Sequence, residues 1–271
     1  MSYKIYLWDA LSAIEWSQAS WRSEVPELPE PCDRELIHDV ILRHLPPTGL
    51  VVDAGCGTAK WPIYLRGRGY RCVGIEISRD ACRLVHGFDR ALPLVCGDGR
   101  HVPLRTASAD VVLSLGVVEH DEAGPLASLR EIRRILKPDG LLVLAVPFNN
   151  LLRRLLVNHL QTYVTWRRRR ADMRLGFAEY RFTKREVRRF LHQSGFAPVA
   201  TYPNDLLPPR VMGLWVDRAN LVVNPLAAPA GPAEQQLQFM MAGLPGRIAR
   251  ALVRRAPWLV CGEVVFVARA R

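Results

Sequence analysis

Between residues 50 and 147 the chain repeatedly trades a short apolar run for a helix-like one, and few folds satisfy such a pattern. The apolar runs lie at 50–54, 72–77, 92–96, 110–115 and 141–146, all rich in Val, Leu or Ile. Helix-like stretches separate them at 60–67, 79–88 and 125–136, the last ended by Lys137-Pro138-Asp139-Gly140. Strands apolar on both faces, alternating with helices, imply a parallel sheet covered on both sides. The expected fold class is therefore α/β, a doubly wound sheet. Six cysteines (Cys32, Cys56, Cys72, Cys82, Cys96 and Cys261) include no CxxC pair and no His/Cys cluster at metal spacing, so they read as reduced core residues and no metal is expected.

The flanks follow other rules. Residues 33–45 (DRELIHDVILRHL) start at a good N-cap and space Leu36, Ile37, Val40, Ile41 and Leu45 at helical intervals. With Trp8, Trp16 and Trp21 and the proline-rich VPELPEPC, residues 1–48 read as an N-terminal helical cap. Residues 49–148 are the core. Residues 149–180 hold an amphipathic stretch ending in WRRRR, and residues 181–271 return to the core. In that last part Thr183 and Glu186 form a capping-box pattern, 196–202 reads as a strand, and EVVFVAR closes the chain as another. The interval 204–260 holds an apolar piece (VMGLWVDRANLVV), a Pro/Ala/Gly linker (NPLAAPAGPAE) and a basic helix near 246–255. It is too long for a simple connection and reads as an insertion.

Charge separates the halves. Residues 1–150 hold 17 Lys+Arg and 19 Asp+Glu; residues 151–271 hold 20 and 7, so the net +11 arises entirely from the second half. No apolar run approaches the roughly 18–20 residues of a spanning helix. The opening MSYKIYLWDALSAIEW lacks the layout of a secretory signal. The expectation is a cytoplasmic protein, with peripheral contact to an anionic membrane as one use of the basic segments.

The chemistry-bearing residues gather where the apolar runs stop. The first ends in VVDAGCGTAKW, the second in VGIEIS with Glu76, the third in VCGDGRHVPL with Asp98, and the fourth releases into Ser114 and Gly116. Two glycines without the third of a dehydrogenase fingerprint are weak evidence alone. A carboxylate at the second strand end can accept both ribose hydroxyls, and one at the third can accept a purine amine. All three positions fall on the carboxyl edge of the sheet, where ligands bind.

In that order, VVDAGCGTAKW, VGIEIS, CGDGRHVPL, ADVVLSLGVVEH and REIRRILKPDGLLVLAVP resemble class I S-adenosylmethionine-dependent methyltransferases, most of all the methyltransferase type 11 group. The resemblance implies a Rossmann-like seven-stranded sheet with its last strand antiparallel. It implies S-adenosyl-L-methionine as cofactor, with S-adenosyl-L-homocysteine as product. Carried across, it assigns Asp53, Gly55, Cys56 and Gly57 to the turn and the methionine end. Glu76 takes the ribose, Ile77 the adenine ring, Asp98 between Gly97 and Gly99 the adenine amine, and Ser114 and Leu115 the methionine end. Ala59 stands where a third glycine of the turn is commonest.

Glu119-His120 follows the fourth strand, on the side where an acceptor would sit. His120 is a candidate base for an acceptor hydroxyl or amine; alternatively the pair is a structural signature of a helix start. In 149–170, Leu152, Leu155, Leu156, Leu160 and Val164 form one apolar stripe with basic ends at Arg153-Arg154 and Arg167–Arg170. Two readings stand: a lid or interfacial helix, or a helix buried on the domain with a solvated arginine face. The expected acceptor is a small-molecule or lipid-like compound, with O-methylation favoured. RNA is the runner-up, since no Asn/Asp-Pro-Pro-aromatic tetrad follows the fourth strand. A non-catalytic protein keeping the fold is the reading from another class.

Overall fold

A computed structural model describes residues 2–8, 32–206 and 243–271. Trp16, Trp21, VMGLWVDRANLVV and NPLAAPAGPAE lie outside the described residues. The sheet has seven strands: β2 (Leu50–Ala54), β3 (Arg71–Glu76), β4 (Leu94–Cys96), β5 (Ala109–Leu115), β6 (Leu136–Pro147), β8 (Phe196–Asn204) and β9 (Glu263–Ala270). Their order is β4-β3-β2-β5-β6-β9-β8. Strands β2 to β6 pair in parallel, and β9 runs antiparallel between β6 and β8. Here the closing EVVFVAR takes its expected antiparallel place.

Alternation along each strand divides the core between two layers. Val52, Val112, Leu142, Leu144 and Phe266 face one side, against Leu129 and Ile132 of α4 (Leu126–Ile135) and Val187 and Leu191 of α6 (Lys184–Gln193). Val51, Val111, Leu113, Val143 and Val265 face the other, against Ile37 and Ile41 of α1 (Leu36–His44) and Trp61 and Leu65 of α2 (Lys60–Arg66). A third helix, α3 (Arg79–Phe88), begins at Ser78, whose hydroxyl accepts from the Ala81 N–H. Thr183 and Glu186 form the reciprocal capping box in full.

Three features depart from the sequence reading. Within the stretch expected as a helical cap, Tyr3–Trp8 is a strand, β1, paired antiparallel with β7 (Leu175–Arg181). YKIYLW is rich in aromatic and branched residues, which favour a strand, and Ile5 is buried. Asp33 does not cap the first helix: it lies in a single 3₁₀ turn, Cys32–Arg34, and its carboxylate accepts from the Tyr64 hydroxyl. The third departure concerns Arg153. It is 1 % exposed and donates to the carbonyls of Phe148 and Gly262 at 2.7 and 2.8 Å, so it is a buried anchor rather than a basic helix end.

Candidate cofactor and acceptor site

At the tip of β2 the chain turns through Asp53-Ala54-Gly55-Cys56-Gly57. The Gly55 and Cys56 N–H groups both donate to the Ile75 carbonyl, at 2.7 and 2.9 Å, which ties the turn to β3. Gly55 has φ +88°, and a Cβ there would lie 2.3 Å from Val117 Cγ2. No side chain fits this position, so glycine is required twice over. Gly57 also has positive φ, and its N–H donates to Glu76 Oε2 at 2.9 Å. Ala59 adopts φ 59°, ψ 30°, so the residue in the common third-glycine place accepts a left-handed conformation without glycine. Cys56 serves the turn: its N–H is used by β3, and its sulfur packs where a Gly74 Cβ would stand. Burial pushes its thiol well up.

Two buried carboxylates stand at the neighbouring ends of β2 and β3. Glu76, 5 % exposed, accepts from Gly57 with one oxygen and from the Ser78 N–H, at 2.8 Å, with the other. One backbone donor per oxygen holds the carboxylate in position and leaves acceptor capacity for two further hydroxyls. Asp53 is 4 % exposed. Burial raises its pKa to about 7, opposed by Lys60 and reinforced by Glu76. Such a carboxyl is poised to ionise when a cation arrives. Lys60 meanwhile holds Glu35 at 2.5 Å.

Asp98 follows β4, its side chain one-third exposed. The Arg100 guanidinium forks onto both its oxygens at 2.7–3.1 Å, and the Arg100 N–H adds a bond of 2.8 Å. These hydrogen bonds hold the Asp98 carboxyl below its ordinary range. Arg100 also lies 3.7 Å from Asp121, so it links the β4 loop to the loop after β5. Sequence reasoning passed over Arg100, although the bare spacing Asp98-Gly99-Arg100 was its signal. Added Cβ atoms at Gly97 or Gly99 would touch little or nothing, leaving open space beside Asp98. Ile77 is half-buried between β3 and α3. Ser114 is fully enclosed with an unpartnered Oγ, and Leu115 is half-buried after it.

After β5, Val118–His120 forms one 3₁₀ turn. His120 Nδ1 lies 2.7 Å from the Ala178 carbonyl of β7. A carbonyl accepts only, so Nδ1 carries the proton and the basic lone pair falls on Nε2. Glu119 is 2 % exposed, and its Oε2 has no hydrogen-bond partner. Burial raises its pKa well above the ordinary range, reinforced by Glu179 and Glu263.

These strand-end acids, the Cβ-less turn and the sheet order define the architecture of class I S-adenosylmethionine-dependent methyltransferases. Residues 52–144 match the family model described as "Methyltransferase domain", and the chain carries a class I S-adenosylmethionine-dependent methyltransferase domain there. The chain is 35% identical over 114 residues to demethylmenaquinone methyltransferase of Mycolicibacterium vanbaalenii, covering 40% of this chain and 47% of that protein. It is 36% identical over 129 residues to malonyl-[acyl-carrier protein] O-methyltransferase of Laribacter hongkongensis, covering 43% and 42%. tRNA methyltransferases are among the other matches. The chain thus spans less than half the length of these two relatives. Among solved structures, geranyl diphosphate C-methyltransferase from Streptomyces coelicolor shares the fold at TM-score 0.59 and 15% identity, over 97% of this chain and 99% of that one.

Proposed function

We propose that this protein transfers a methyl group from S-adenosyl-L-methionine to a small or lipid-like acceptor, with oxygen as the methylated atom. One observation carries the cofactor half of this reading. A turn that admits no Cβ at Gly55 lies between two buried carboxylates, Asp53 and Glu76, at neighbouring strand ends. Asp53 suits the cofactor's ammonium, Glu76 its ribose hydroxyls and Asp98 its adenine amine. The unpartnered Ser114 and the half-buried Leu115 and Ile77 line the same strand ends. When bound, the cofactor supplies an activated methyl group, so the protein's task is largely to position the acceptor.

The acceptor half rests on His120. With Nδ1–H fixed on Ala178, Nε2 takes the acceptor's hydroxyl proton as the oxygen–carbon bond forms and the sulfur–carbon bond breaks. Glu119 Oε1 lies 4.0 Å from Nε2. The O-methyltransferase named among the relatives supports an oxygen acceptor, and the demethylmenaquinone methyltransferase supports a lipid-like one. RNA is the second reading, favoured by the arginine-rich second half and the tRNA methyltransferases among the matches.

Calorimetry with S-adenosylmethionine and S-adenosylhomocysteine tests the first half. The expected result is micromolar binding by wild type, lost in a Glu76→Ala, Asp98→Ala double variant that remains folded. No binding by folded wild type refutes the proposal. Given binding, transfer of labelled methyl to quinol and lipid hydroxyls should fall about 10²- to 10⁴-fold in His120→Ala. Transfer to tRNA but not to these acceptors would establish the second reading.

A further inference from the structure

The helix leaving β6 runs from a π-turn at Arg153–Val157 into α5 (Asn158–Arg170), and it turns the wrong face outward for a soluble surface. Arg153, Val157 and Gln161 are buried, while Leu151, Leu155, Leu156, Leu160, Tyr163 and Trp166 are each about half to two-thirds exposed, between 49% and 62%. The π-turn brings this about. An ordinary helix advances 100° per residue, which would spread those six side chains over roughly half the circumference. One turn closed i→i+5 advances only about 80° per residue and narrows them to an arc of about 120°. The same shift stacks Arg153, Val157 and Gln161 on the opposite, inward side. The apolar stripe read from sequence is thereby corrected: Leu152 and Val164 are half-buried, and Leu151, Tyr163 and Trp166 take their place.

The charge around this stripe has one sign. Residues 151–170 contain six arginines and no Asp or Glu. Apart from buried Arg153, they are Arg154 at one end and Arg167–Arg170 at the other. Arg170 lies 4.6 Å over the Trp166 ring, and Trp166 stacks on Tyr163. The helix is held to the body by the Arg153 anchor and by the Tyr3 hydroxyl, which reaches the Asn158 carbonyl and Thr162 Oγ1 at 3.0 and 2.9 Å.

We propose that residues 151–170 dock this protein on an anionic membrane surface, with the leucines, Tyr163 and Trp166 entering the headgroup–acyl boundary and the exposed arginines meeting lipid phosphates. An exposed aliphatic and aromatic face rimmed by arginines is the composition an interfacial helix needs, and each arginine near such a surface adds attraction. A polynucleotide would use the arginines and the Tyr163–Trp166 pair but gives no reason to expose four leucines. The proposal does not depend on which acceptor is methylated.

The test is cosedimentation of the full chain with vesicles of phosphatidylcholine alone and of equal parts phosphatidylcholine and phosphatidylglycerol. Binding is expected only to the anionic vesicles, weakened by salt. Replacing Arg167–Arg170 with glutamine should reduce it ~100-fold or more. The triple variant Leu155→Gln, Leu156→Gln, Leu160→Gln should abolish it, and circular dichroism and cofactor calorimetry on each variant check that the domain stays folded. Quenching of tryptophan emission by brominated lipid should drop in Trp166→Phe. Three results overturn the proposal: equal binding to both vesicles or to neither; binding unchanged in the leucine variant; or a dimer in sedimentation that the leucine variant dissociates while vesicles stay unbound. Where neither vesicle is bound, RNA binding that needs the arginines but not the leucines would assign this face to nucleic acid instead.

Discussion

Asp53 combines a stability cost with its proposed role. In the unfolded chain its carboxyl ionises near its ordinary value of 3.8, whereas in the fold it holds its proton up to about pH 7 because burial disfavours the anion. Below about pH 4 both states are protonated and the residue costs nothing. Between about pH 4 and 7 the unfolded state loses its proton first, so stability falls as pH rises. Above 7 the full cost remains, on the order of a few kcal/mol. Asp53→Asn should therefore match wild type in melting temperature at pH 4 and exceed it at pH 8, while binding S-adenosylmethionine more weakly. Wild type at pH 6 should also release protons when it binds the cofactor, because an arriving ammonium lowers the Asp53 pKa. Calorimetry in buffers of different ionisation enthalpy measures that release. Gly55→Ala belongs to the same scale. Its methyl would collide with Val117 at a backbone angle that alanine disfavours, so cofactor binding should be lost and stability should fall by about 1–3 kcal/mol in urea unfolding.

At the scale of elements, the inward face of the helix at 151–170 depends on one buried arginine. Arg153→Met would leave the Phe148 carbonyl without its donor, while the Gly262 carbonyl would keep only the Phe148 N–H at 2.8 Å. Leaving such a group unsatisfied costs about 1–3 kcal/mol, so urea unfolding should shift by about that much, and hydrogen exchange should rise first in 151–170. Thr183→Ala should cost only about 1 kcal/mol, since it removes one cap from a helix that packing also holds.

The contrast marks what is legible in a sequence. The capping box and the acids at the carboxyl ends of β2, β3 and β4 are local patterns, and local patterns can be read directly. Pairing of β1 with β7 joins residues more than 160 positions apart, and no local signal specifies such a partner. Arg153 and Arg154 are identical letters, and only the π-turn decides which of them is buried. For Arg100 the spacing to Asp98 was legible, but only the loop geometry decides that its guanidinium forks onto both carboxylate oxygens.

For the whole molecule, chain order and spatial order diverge in a way that predicts which parts are dispensable. β9 is the last strand in sequence but lies inside the sheet, hydrogen-bonded on both edges, with Val264, Phe266, Val267 and Ala268 fully buried. Removing residues 263–271 would expose the edges of β6 and β8 and open both core layers at once, because Phe266 packs in one and Val265 and Val267 in the other. β1 stands apart: among the described residues it forms a separate two-stranded ribbon with β7. Deleting residues 263–271 should therefore leave no cooperative unfolding transition. Deleting residues 1–8 should leave the seven-stranded sheet and cofactor binding intact. It should also loosen the helix at 151–170, because the Tyr3 bonds to Asn158 and Thr162 are lost. Calorimetry and hydrogen exchange on the two deletions separate these outcomes. Loss of S-adenosylmethionine binding on deleting residues 1–8 would overturn this and show that the ribbon, through Ala178 and its bond to His120, bears on the cofactor site.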